Sequence, residues 1–156
     1  MMHKLIAKHS LSHEAAKTLI GYAILKAKEL GVGGAIAVVD DGGHLICLER
    51  IDGTMAAAAN IAIGKAATAI GFKRPGAVLE QTVATQPAMR TLNSVTPAPF
   101  VPLKGSYPIE IDGEIVGAIA VAGARNGEND EAIALFATEK FMNIPIVTKL
   151  NSPKLN

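Results

Sequence analysis

A chain of 156 residues has room for one buried core and excludes two full-sized domains. Fifteen Lys and Arg against fourteen Asp and Glu leave a formal charge of +1, so no field steers it toward nucleic acid, an anionic membrane surface or an acidic substrate. Apolar residues make up 49% but aromatic ones only 4%, with no Trp, so Ala, Ile, Val and Leu must build the core.

In chain order, Ser10 and Ser12 stand as N-caps before the helical stripe Ala16, Leu19, Ile20, Ala23, Ile24, Ala27 and Leu30, and Gly31 stands where a C-cap belongs. The β-prone runs Ala35–Val39 and His44–Glu49 flank Asp40-Asp41-Gly42-Gly43, which predicts an antiparallel hairpin. Met55–Ile70 reads as a helix of small and apolar residues ended by Gly71, and a shorter helix, about Ala77–Ala84, follows the Pro75-Gly76 break. Gln86–Lys104 carries Pro87, Pro97, Pro99 and Pro102 and reads as an extended, irregular crossing. Tyr107–Ile111 and Ile115–Ala122 form a second hairpin around Asp112-Gly113, and a last helix runs from about Asn129 to Phe141.

The order α-ββ-αα-ββ-α has no βαβ alternation, so the expected fold class is α+β, an antiparallel sheet with helices packed against it. Residues 1–142 form one expected domain, and 143–156, with Pro145 and Pro153, a polar and partly disordered tail. The start has no apolar run long enough for a signal segment, and the lone Cys47 closes no internal disulfide, so a reducing cytoplasm is expected. Met55–Ile70, interrupted by Asn60 and Lys65, is shorter than the roughly 20 residues that span a bilayer, so no membrane span is expected.

The nearly continuous apolar runs Ala35–Val39 and Ile115–Val121 require both faces of the sheet to be covered. Helices of the same chain or another subunit can do this, and the all-round apolar Met55–Ile70 helix predicts a homo-oligomer with a mass above the 16.2 kDa of one chain.

Candidates for chemistry are few. His9 and His13 have i,i+4 spacing, which on one helix would pair two imidazoles, but a capping serine between them puts His9 outside the helix. Ser106 lacks the glycine pattern of a nucleophile elbow, and Cys47 reads as a buried structural thiol. Gly31-Val32-Gly33-Gly34 precedes a strand, the wrong order for a dinucleotide cradle. Gly123-Ala124-Arg125-Asn126-Gly127 does lead from strand to helix, where amides could hold an anion, but Glu128, Asp130 and Glu131 already supply negative charge there. Phe72-Lys73-Arg74 ends a buried helix with a ring beside two cations, suited to a flat apolar ligand with carboxylates or to a solvated loop.

Taken together in order, Lys26–Val32, Ala37–Leu45, Glu49–Gly53, Phe72–Pro75 and Tyr107–Ile119 resemble the GlcG/HbpS family, which includes the C-terminal domain of PduO. The resemblance covers about Ser10 to Phe141, although only Gly105 precedes Ser106-Tyr107-Pro108 where the family is glycine-rich. It implies a profilin-like, oligomeric α+β fold that binds haem in several members, with a haem-degrading label attached to the family. It also implies His13 as the candidate haem-iron ligand, with His9 second, and Lys73 or Arg74 near the propionates.

The leading expectation is a small oligomeric binding protein for haem or a related tetrapyrrole. The alternative is an accessory protein of a propanediol or glycerol (corrinoid-dependent dehydratase) or glycolate utilisation system, with no cofactor of its own. An enzyme using His44 or Glu49 ranks last, because no base–nucleophile pair or metal cluster can be named.

Overall fold

The first helix begins where a side-chain oxygen can cap it. In the computed structural model, which describes residues 2–143, the Ser12 hydroxyl accepts the Ala15 N–H and α1 runs His13–Leu30. Gly31, at φ 64°, closes its last turn onto the Lys28 carbonyl. The following elements are β1 (Ala35–Asp40), β2 (Leu45–Arg50), α2 (Ala58–Phe72), α3 (Gly76–Thr85), β3 (Ser106–Ile111), β4 (Glu114–Ala122) and α4 (Gly127–Met142). The expected order α-ββ-αα-ββ-α therefore holds, and each boundary lies within three residues of its expected place. The expected tail lies outside the described residues apart from Asn143.

All strand pairs are antiparallel, in the spatial order β2-β1-β4-β3. Alternation sorts the central strands by size. Ile36, Val38, Ile119 and Val121 face α1 and α4 in the main core, each burial worth roughly 1.5–3 kcal/mol. Ala35, Ala37, Ala118, Ala120 and Ala122, with the larger Val39, face the alanines of α2 on the other side. Small residues on both partners let α2 lie close to the sheet. The continuous apolar runs are thus explained within one chain, because helices cover both faces.

The segment after α3 departs from expectation. Pro87–Ser94 forms a 3-10 helix rather than an extended crossing. Pro87 sits in its first turn, where it gives up no needed N–H, and the Thr91 and Ser94 hydroxyls return hydrogen bonds to the Ala88 and Thr91 carbonyls. The remaining prolines hold an extended strap over α2, with Val101 against Gly64 and the Thr68 hydroxyl accepting the Val101 N–H at 2.9 Å.

At one end of the sheet the N-terminal arm is tied down: the Leu11 N–H donates to the Val116 carbonyl at 3.0 Å. Gly117 leaves room for Leu11, since a methyl group there would overlap the Leu11 side chain and the Val39 carbonyl. No helix of the described residues is long and apolar enough to cross a membrane.

Candidate functional site

The β1–β2 turn, the C-terminal end of α2 and the strap around Pro97 meet at this same end and enclose a cavity of about 350 Å³. Its floor is apolar: Ala67, Ile70 and Gly71 come from α2, and Phe72 adds a ring that tilts against Phe100 with centroids 5.2 Å apart. Polar groups gather at the turn. Asp40 Oδ1 accepts the N–H groups of Gly42 and His44, both at 2.9 Å, and the His44 ring folds back over Gly42. Gly43, at φ 85°, supplies the left-handed step and lies over Ile70.

The expected ligand residues distribute unevenly around this cavity. Phe72 lines it, while Lys73 and Arg74 follow on an exposed left-handed C-cap, with no ionic partner for either among the described residues. His13 is the exposed first residue of α1 and is not part of the lining. His9 lies outside the helix, as the capping argument requires, and its ring nitrogen Nδ1 meets Glu114 Oε2 at 2.7 Å. The His9 N–H, then its ring, hold the Glu114 carboxyl below its usual range. His9 and His13 therefore form no shared pair on one helical face. The arm still reaches the cavity's edge, where the Ser10 hydroxyl stands 3.4 Å from the Asp41 N–H.

His44, which sequence reasoning kept for an enzymatic role, is the histidine that shares the cavity with Phe72. Glu49, its companion in that reading, is bound in an ion pair with Lys17. Cys47 packs at the margin of the main core and is half-buried rather than buried. Ser106 is buried with its hydroxyl against the Gly76 backbone, and among the described residues it has no hydrogen-bond partner that could act as its base. No group of three metal-ligating residues occurs among the described residues.

Asp130, one of the negative charges expected at the start of α4, is only 6% exposed, and Lys65, read as a polar interruption of an apolar helix, is 3% exposed. Lys65 Nζ meets Asp130 Oδ2 at 3.0 Å and donates to the Val121 carbonyl at 2.9 Å, while Asp130 Oδ1 accepts the Ala124 N–H. The N-cap of α4 is Asn126, whose side chain accepts the Asn129 N–H at 2.8 Å. Beside this pair, Glu131 accepts the Gly105 N–H and the Tyr107 hydroxyl; burial and then that carboxylate push the Tyr107 pKa well above the usual phenol range.

Residues 11–139 match the family model described as haem degrading protein HbpS-like. The protein GlcG of Escherichia coli K12 is 36% identical over 112 residues, 72% of this chain and 81% of GlcG. Among solved structures, a doubly substituted HbpS of Streptomyces reticuli superposes with a TM-score of 0.78 at 29% identity, covering 87% of this chain and 90% of that one. A PduOC:haem complex superposes with a TM-score of 0.76 at 26% identity, covering 86% and 96%.

Proposed function

Because the chain belongs to the HbpS-like family, we propose that it is a small binding protein for haem or a related tetrapyrrole. One observation carries this reading beyond the family: an apolar cavity holding Phe72 and His44 lies next to two exposed cations, Lys73 and Arg74, with no ionic partner among the described residues. At about 350 Å³ it falls at the lower end of the roughly 300–1,000 Å³ of small-molecule sites, enough to take one edge of a flat ligand. These residues fit the group. Phe72 supplies ring contact, Lys73 and Arg74 pair with propionates, and a histidine at this end supplies the nitrogen that iron requires. His13 is the proposed iron ligand, with His9, held in one orientation by Glu114, second, and His44 the addition that the cavity makes. When bound, haem contributes a redox-active iron, while the chain supplies orientation and shielding from water.

Haemin titration followed in the Soret band tests the proposal. A saturable red shift is expected, weakened about tenfold by Phe72→Ala and by the Lys73→Gln/Arg74→Gln pair, the loss of one good contact in each case. The iron ligand is the histidine whose alanine variant alone alters the bound spectrum. A wild-type chain with no saturable shift sinks the haem reading and leaves the accessory role in diol, glycerol or glycolate utilisation.

A homo-oligomer belongs to the same proposal. Leu25 and Leu45 are 59% and 47% exposed, apolar side chains that a neighbouring subunit would bury. Sedimentation is expected to give a mass well above 16.2 kDa, and a monomer at micromolar concentration removes this part.

A further inference from the structure

A second cavity, of about 340 Å³, opens at the opposite end of the sheet, where the two glycine-rich stretches of the sequence come together. Six-residue β1 runs between the two ends, so the cavities stand roughly 20 Å apart. Three loops build the second one: Gly31 to Gly33 before β1, Asp52 to Met55 after β2, and Gly123 to Arg125 after β4. Gly31, Gly53 and Gly123 all have positive φ, and a side chain at Gly31 or Gly53 would meet nothing within 4 Å. At Gly31 and Gly53 the backbone conformation, rather than crowding, demands glycine, whereas a methyl group at Gly123 would also press on Ala58.

The charges at the rim of this cavity are opposite, and both are exposed to solvent. Asp52 and Arg125 both line it, yet neither has an ionic partner within 4 Å among the described residues. Arg125 is held at φ 77°, a region that residues with side chains avoid and that clusters at binding sites. Thr54 Oγ1 accepts the Gly34 N–H at 2.8 Å, which leaves its own proton free to donate. Val32 and Met55 complete the wall with apolar surface.

We propose that this cavity binds a small zwitterion of the α-amino acid class with an aliphatic side chain. Its carboxylate meets Arg125 and the Thr54 hydroxyl, its ammonium meets Asp52, and its side chain packs on Val32 and Met55. A ligand with a single charge can pair with only one of these two exposed groups, whereas a zwitterion pairs with both. The site is independent of haem and shares no residue with the first cavity.

Calorimetric titration of the full chain with L-leucine tests it, with 4-methylpentanoate and 3-methylbutylamine as probes that keep one charge each. Saturable leucine binding is expected, with each single-charge probe about ten- to a hundredfold weaker, the loss of one charged hydrogen bond. Arg125→Gln and Asp52→Asn are each expected to weaken leucine by a similar factor while leaving the haemin titration unchanged. Absence of saturable leucine binding, equal binding of 4-methylpentanoate, or unchanged binding in both variants overturns the proposal.

Discussion

Asp130→Ala is expected to destabilise the fold by about 3–5 kcal/mol, the loss typical when one partner of a buried ion pair is removed. Lys65, 3% exposed, is then left with only the Val121 carbonyl to share its charge among the described residues. The Ala124 N–H loses its acceptor as well. Lys65→Met is expected to cost a comparable amount by stranding the carboxylate. The double variant Lys65→Met/Asp130→Leu restores most of the loss, since two apolar side chains of similar volume leave no charge behind. Urea unfolding midpoints measure this directly. If the double variant is as unstable as the sum of the singles, the two residues are not coupled and the ion-pair account fails.

Gly76→Ala is expected to cost about 1–3 kcal/mol, although it places a better helix former in the first turn of α3. Its backbone needs no positive φ; space is what forbids the methyl group, which would overlap the Leu103 carbonyl and the Ser106 hydroxyl. Both obstacles are anchored. Leu103 belongs to the strap, and Ser106 opens β3 with its side chain 1% exposed. Gly21 provides the opposite sign: it is exposed on α1, and an added Cβ meets nothing within 4 Å. Gly21→Ala is expected to stabilise by about 0.5–1 kcal/mol through helix propensity alone. Thermal melts of the two variants separate packing from propensity, and a shift in the same direction for both defeats the distinction.

These two cases mark how far the chain could be read before its structure. Gly76 was legible as a break but not as a packing contact, because its neighbours arrive from residues 103 and 106. Lys65 and Asp130 were visible as charges, and each had an ordinary local explanation: one broke an apolar helix, the other stood in a first helical turn. Nothing in local spacing announces an ion pair formed 65 residues apart. The same reasoning applies to the candidate sites. Phe72, Lys73 and Arg74 declared themselves as a cluster, whereas His44 joined them only because the β1–β2 turn folds over the end of α2. Each glycine-rich stretch was rejected singly as a phosphate cradle, and their convergence on one cavity could not be foreseen from either.

By itself the sequence determined the order of helices and strands, the antiparallel pairing, the Gly31 cap, a serine cap at Ser10 or Ser12, and the need to cover both faces of the sheet. Those features depend on hydrophobic period, turn chemistry and capping, which act over a few neighbouring residues. The tertiary structure alone decided which charges are buried, which glycines are spaces rather than turns, and which side chains share a cavity. Such outcomes depend on atoms distant along the chain meeting within a few ångströms, and only the packed fold brings them together.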